Sequence, residues 1–115
     1  MKYAIQVSTG YSRSSIPFTA CRFIQAAIEA GHAVTRVFFY HDGVYNGFDS
    51  AQNPCARNWS TLAEVQGVDL VLCVTACANR GLSAENGLLP GFRTGGLGLW
   101  MEALLQADRF LIFQD

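Results

Sequence analysis

One apolar run constrains this chain more than any other feature. Val37-Phe38-Phe39-Tyr40 has no polar residue in alternation, so a strand built from it has to be covered on both faces, as in a parallel sheet. Further short apolar runs at 3–8, 69–74 and 109–113 alternate with stretches whose apolar residues recur at helical spacing. That alternation predicts parallel β-α-β units in a layered α/β domain.

The first strand, residues 3–8, leads into the loop Thr9-Gly10-Tyr11-Ser12-Arg13-Ser14-Ser15. A helix is expected from about Pro17, whose fixed φ suits a first turn, with Ser15 as its cap. Phe18, Cys21, Ile24, Ala27 and Ile28 form its buried stripe, and Gly31 closes it. The second strand spans Ala33 to Tyr40. His41-Asp42-Gly43 signals a turn, and a long loop continues to about Asn53. A second helix starts at Asn53-Pro54, turns Trp59, Leu62 and Val65 inward, and ends at Gly67. A third strand, Asp69 to Val74, runs into a short helical stretch ending at Arg80-Gly81. Residues 82–93 carry no readable pattern. Thr94 is the expected cap of a last helix bearing Leu97, Trp100, Met101 and Leu104, and Arg109 to Phe113 form a closing strand.

With 115 residues the chain suits one domain, 1–115, large enough to bury a core without staples. Hydrophobic residues make up 50% and charged residues 15%. So little charge implies more apolar surface than one small core hides, and a permanent partner subunit would cover the excess. The formal net charge is −1 and no basic run occurs, which argues against direct nucleic-acid binding. No apolar run reaches the roughly 18 residues of a membrane span, and Met1 to Val7 read as a strand, not as a signal peptide. The cysteines at 21, 55, 73 and 77 contain no C-x-x-C pair. Reduced thiols in the cytoplasm are the expectation.

Reactive groups of open parallel sheets collect at the carboxyl ends of the strands. The loops 8–15, 41–52 and 74–81 therefore matter most. Cys73 ends the third strand just before the last of these. A thiol there faces the start of the next helix, where unpaired N–H groups and the helix dipole favour a thiolate, and Arg80 adds positive potential. Spacing alone equally accommodates Cys73 as a small core residue, because unpaired cysteine is among the most buried types. Cys77 is a packed or half-exposed bystander, or a resolving or regulatory thiol. Cys21 belongs to the core stripe of the first helix, and Cys55 falls in the first turn of the second. His32 neighbours the Gly31 cap, while His41 lies beside Asp42 on a strand-end loop, in a surface turn or in a site. Ser8-Thr9-Gly10-Tyr11-Ser12 leaves open a phosphate or flavin cradle of flavodoxin type, or simply builds a turn. The two histidines and four scattered cysteines have no metal-ligand spacing. There is no Walker, dinucleotide or G-x-S-x-G sequence, so neither metal nor cofactor is expected.

Several of these stretches together resemble one family. Val37-Phe38-Phe39-Tyr40-His41-Asp42-Gly43-Val44-Tyr45-Asn46 resembles the VFFY-x-x-GVYN stretch of the TusD and DsrE sulfurtransferases. Cys73-Val74-Thr75-Ala76 with Arg80-Gly81 resembles that family's C-V-A-A-x-x-R-R-G stretch around its active cysteine. Gly91-Phe92 through Gly96-Leu97-Gly98 resembles its GF-x-x-x-GLG segment. The opening strand, Ala30-Gly31-His32 and Ala107-Asp108-Arg109 match as well, so the resemblance covers essentially the whole chain. This sequence departs at Asn79, where arginine is usual, at Thr75 and Cys77, where alanines are common, and in a shorter loop after Asn46.

The resemblance implies a three-layer α/β/α domain with a mainly parallel sheet of about five strands. It implies Cys73 as a persulfide carrier; Arg80, Cys77, Tyr11 and Tyr45 are candidate supports near the thiolate, and Tyr11, Tyr45 and Phe92 suit pocket walls or, equally, interface or core. It also implies the D-type subunit of a heterohexamer with siblings of the TusB and TusC (DsrH and DsrF) types. Sulfur would arrive from a TusA-like donor and leave to a TusE/DsrC-like acceptor. In TusBCD systems it ends as the 2-thio group of a tRNA wobble uridine, and in DsrEFH systems it enters oxidative sulfur metabolism. The chemistry is thiolate attack on the outer sulfur of a donor persulfide, then the same attack by an acceptor. It asks for no general base, metal or organic cofactor. Two rivals remain at this level: a noncatalytic structural subunit with Cys73 as core, and the flavodoxin-like binder.

Overall fold

The run that reads as doubly covered occupies the middle of the sheet. In a computed structural model describing every residue except Arg13 and Ser50, β2 (Ala33–Phe39) lies between β1 (Lys2–Val7) and β3 (Leu70–Cys73). Outside β3 is β4 (Phe92–Gly95) and outside β1 is β5 (Arg109–Phe113), giving the order β4-β3-β2-β1-β5. All four pairings are parallel. The connections are α1 (Ile16–Glu29), α2 (Ala56–Glu64), α3 (Val74–Asn79) and α4 (Leu97–Gln106).

Side chains alternate across the sheet, and aromatic contacts identify which helix covers which face. Tyr3 meets Phe23 of α1, and Phe39 meets Trp59 of α2, with ring centroids 5.5 and 4.9 Å apart. Ile5, Val37 and Leu72 share this face by register. On the opposite face Phe38 stacks on Trp100 of α4 at 6.1 Å. Thus helices cover both sides of a five-stranded parallel sheet. Thr35 is the extra residue of a β-bulge opposite Tyr3 and Ala4, and its hydroxyl lies within hydrogen-bonding reach of the Tyr3 and Ala103 carbonyls.

Local signals explain most boundaries. Gly31, at φ +92, ends α1 in a Schellman arrangement: its N–H donates to the Ile28 carbonyl and that of His32 to Ala27. Ser15 does occupy the N-cap of α1, but its hydroxyl makes no cap bond; instead the Ser14 hydroxyl accepts the Ile16 N–H at 3.1 Å. The buried line of α1 runs through Pro17, Ala20, Cys21, Ile24 and Ala27. Phe18, expected on that line, is 45% exposed, because it stands about 100° around the helix from Pro17. Val65, expected to face inward, is 71% exposed, since α2 ends at Glu64 and Val65 lies beyond its last turn.

Two segments differ more deeply from expectation. The supposed loop after β2 contains a 3₁₀ helix, His41–Gly47. Gly43 packs so closely on β1 that a Cβ there would collide with the Val7 carbonyl. Asn46, fully buried, donates from Nδ2 to the carbonyls of Thr9 and Gly43 at 3.0 and 2.8 Å. Thr94 does not cap a helix: it pairs with Leu72 inside β4, and Gly96 takes the N-cap of α4. β4 escapes sequence reading because Phe-Arg-Thr-Gly has neither an apolar run nor a regular alternation.

A charged cluster ties α4 to the sheet. Asp69 accepts Arg36 Nε at 2.6 Å and two Arg93 bonds at 2.9 Å. Arg36 Nη1 also donates to the Leu99 carbonyl at 2.8 Å and to Glu102 at 3.2 Å. This holds α4 over β2.

Candidate active site

Register decides where Cys73 faces. Val71 pairs with Phe38, so Val71 and, two residues on, Cys73 point to the side covered by α4. Cys73 pairs with Gly95 of β4, one residue before the Gly96 cap of α4. It is also the N-cap residue of α3, in extended conformation, and its side chain makes no capping bond. The starts of α3 and α4 thus meet at this thiol. Unpaired N–H groups at helix starts carry partial positive charge, which favours an anion between them.

Cys73 is 2% exposed, yet it borders a cavity of about 300 Å³. Tyr40 and His41 line this cavity from the end of β2, Thr75, Ala76, Asn79 and Arg80 from α3 and its end, and Leu97 from α4. Arg80 reaches across rather than outward. Its Nε donates to Asp42 Oδ1 at 2.9 Å and its Nη1 to the Ala76 carbonyl at 3.1 Å. The guanidinium therefore clasps α3 to the 3₁₀ helix, and Asp42 neutralises part of its charge. His41 adopts φ +50, and its ring lies 4.0 Å from that of Tyr40.

The other singled-out residues lie around this centre to different degrees. Cys77 is buried beneath it and does not line the cavity. Burial, with Cys73 nearby, pushes its pKa up to about 11 against a smaller opposing pull from Arg80. Tyr45 lines a separate, polar cavity of about 510 Å³ with Ser8, Thr9, Gly10, Asp42 and Asp115. Tyr11 donates its hydroxyl to Asp49 at 3.2 Å, and burial above all pushes its pKa up. Phe92 packs in the core against Phe39, on the face away from Cys73. The proposed phosphate cradle is the larger polar cavity; among its described lining residues stand two carboxylates and no cation, a setting that repels phosphate. Cys21 and Cys55 are buried in the core. Among the described residues no group of three or more His, Cys, Asp or Glu side chains is arranged to hold a metal, and no helix is long and apolar enough to cross a membrane.

Tyr40, Asn79 and Leu97 were not legible as site residues. The signal for His41 was present, since it follows β2, and β2 adjoins β3 with its carboxyl end at the same edge. What a linear reading lacks is the neighbour relation between those strand ends.

Fold and site together define a class: a parallel α/β domain whose inner strand ends in a thiol over a small, cation-bearing cavity. The chain belongs to the DsrE/DsrF-like family, whose model matches residues 1–113. It is 38% identical, over the full length of both chains, to a protein of Allochromatium vinosum named putative sulfurtransferase DsrE. It is 34% identical to a sulfurtransferase TusD of an Enterobacter species, covering 98% of this chain and all of the relative. Among solved structures, the ychN protein of E. coli superposes with a TM-score of 0.82 at 26% identity, covering 98% of this chain and 100% of that one. A Methanobacterium thermoautotrophicum protein of unknown function shares the fold, with a TM-score of 0.77 at 16% identity over 96% and 97% of the two chains.

Proposed function

We propose that this chain is a sulfurtransferase that carries sulfur as a persulfide on Cys73. The observation that carries the reading is the placement of Cys73: it ends an inner strand, between two helix starts, on the wall of a cavity shared with Arg80. A Cys73 thiolate attacks the outer sulfur of a donor persulfide, and an acceptor thiolate later removes that sulfur. The partly enclosed cavity shields a group that oxidises readily. Full-length similarity to proteins named sulfurtransferase supports the same chemistry.

In this reading the donor is TusA-like, the acceptor TusE/DsrC-like, and the chain is the D-type member of a cytoplasmic heterohexamer with TusB- and TusC-type siblings. Exposed Leu97, Met101, Leu105, Phe110 and Ile112 support the need for partner subunits. The sulfur is destined for the 2-thio group of a tRNA wobble uridine. The higher identity to the DsrE-named relative, 38% against 34%, favours a second destination, oxidative sulfur metabolism. Deleting the gene and measuring 2-thiouridine in tRNA separates the two: loss of the thio group identifies the first.

The carrier itself is tested by loading the protein with a persulfide donor and mapping the added sulfur by peptide mass. The adduct is expected on Cys73. Cys73→Ser is expected to abolish transfer while leaving the fold intact, and Cys77→Ser to retain most of it. An adduct on Cys77, with transfer surviving in Cys73→Ser, would reassign the nucleophile.

A further inference from the structure

A thiol becomes the attacking species only when it has lost its proton, and around Cys73 little is free to take one. Arg80 lines the cavity, but it is paired with Asp42. Thr75 and Asn79 offer a hydroxyl and an amide, neither of which serves as a base. Among the described residues lining the cavity, His41 carries the one imidazole, the side chain used most often as a general acid and base. It is also held in place. Its backbone occupies the left-handed region, unusual for a residue with a side chain, and its ring rests on Tyr40. This turn, shortly after the strand that adjoins β3, puts His41 on the wall of the cavity that Cys73 borders.

We propose that His41 is the proton relay of the sulfur transfer, accepting the Cys73 proton and returning it to the leaving thiolate. The proposal rests on the reading of Cys73 as the carrier and goes beyond it. His41 takes the proton of Cys73–SH. The freed thiolate forms a bond to the outer sulfur of a donor persulfide, R–S–SH, whose S–S bond breaks. The electron pair of that bond leaves with R–S⁻, which takes the proton from His41. The sum is R–S–SH + Cys73–SH → Cys73–S–SH + R–SH, with no external oxidant or reductant. The charged and titratable groups that face the cavity with His41 are Tyr40 just before it, Cys73 at the end of β3 and Arg80 just after α3, and Asp42, next in its own helix, is paired with Arg80. From α4 the cavity receives the apolar Leu97.

The test is single-turnover loading of the full chain with glutathione persulfide between pH 6 and pH 9.5, with the adduct mapped by mass. His41→Asn is expected to load about a hundredfold more slowly at neutral pH, the lower range of general-base effects. Its rate is expected to climb with pH and approach that of the unaltered protein at the alkaline end, where hydroxide does the work. His41→Phe keeps an aromatic ring against Tyr40 but has no proton acceptor, so it is expected to be as slow, and free imidazole is expected to restore rate to His41→Asn. An unchanged pH profile in His41→Asn, or full rate in His41→Phe, overturns the relay. An adduct that maps away from Cys73 in the unaltered protein overturns the carrier reading instead, and the relay with it.

Discussion

Cys21, Cys55 and Cys77 all have pKa values raised by burial, Cys77 to about 11. For Cys21 the nearby Cys55 adds to the effect. Such thiols stay protonated at neutral pH and out of reach of a reagent. Iodoacetamide at pH 7.5 is therefore expected to label none of these three in the folded protein and all of them in urea. Labelling of Cys77 at a rate matching an unfolded peptide would contradict its burial. The raised pKa of Cys77 also carries a sign for stability. Its neutral form is favoured by the fold, so the contribution is complete below the unfolded value of about 8.5 and is lost as pH rises towards about 11. Replacing Cys77 by Ala should flatten the alkaline fall in the urea midpoint; an identical fall in both proteins would remove Cys77 from the account. The burial of Cys21 was legible from its place in a helical stripe. That of Cys77 was not, because α3 is too short to show a periodicity.

At the scale of elements, Asp69 is the junction between β2, β3, β4 and α4. The Arg93 hydrogen bond, above all, and the Arg36 bond hold its carboxyl below the usual range, against the opposing effect of burial. A depressed carboxylate adds stability that is present above the unfolded value of about 3.9. That stability is lost as pH falls through the lower folded value. Asp69→Asn should therefore show a flatter acid limb in thermal melts from pH 6 down to pH 2. At neutral pH it should cost about 1–3 kcal/mol, because half-buried Arg36 loses its strongest partner. A variant whose acid limb matches the parent would show that the cluster contributes nothing. Through Arg36, which bonds the Leu99 carbonyl and Glu102, the junction also holds the first turns of α4, where Leu97 meets the Cys73 cavity. The sequence shows a helix near Leu97 but assigns its cap to Thr94. Only the pairing of Thr94 with Leu72 reveals that the residue is spent in a strand.

For the whole molecule, the uneven cover of the sheet matters most. Phe110 and Ile112 pair with Ala4 and Gln6, so they project on the α4 side, where they remain 58% and 45% exposed. Leu97, Met101 and Leu105 recur every fourth residue along α4 and are exposed too, Leu105 at 85%. Composition had already implied apolar surface beyond one core, and these residues are where it lies. Leu105→Glu combined with Phe110→Glu should leave far-UV circular dichroism unchanged. By light scattering, alone and with co-expressed siblings, the same protein should lose assembly mass. Undiminished assembly in that double variant would move the interface elsewhere.

The sequence by itself determined the parallel α/β class, four of the five strands, the closure of α1 at Gly31 and the position of Cys73 at a strand end. Each rests on short-range chemistry: apolar periodicity, a turn residue, a cap within a few positions along the chain. The resemblance then supplied the sheet size and the persulfide expectation that spacing left open. Tertiary structure alone decided what surrounds the thiol. Tyr40 and His41, Arg80, and Leu97 come from three distant stretches that become neighbours only because β2, β3 and β4 lie side by side and α4 begins where β4 ends. Cross-strand adjacency has no local sequence signature, since the same strands could pair in another order with each pattern intact. The order is chosen by burial of the whole core, and the cavity is a consequence of that choice.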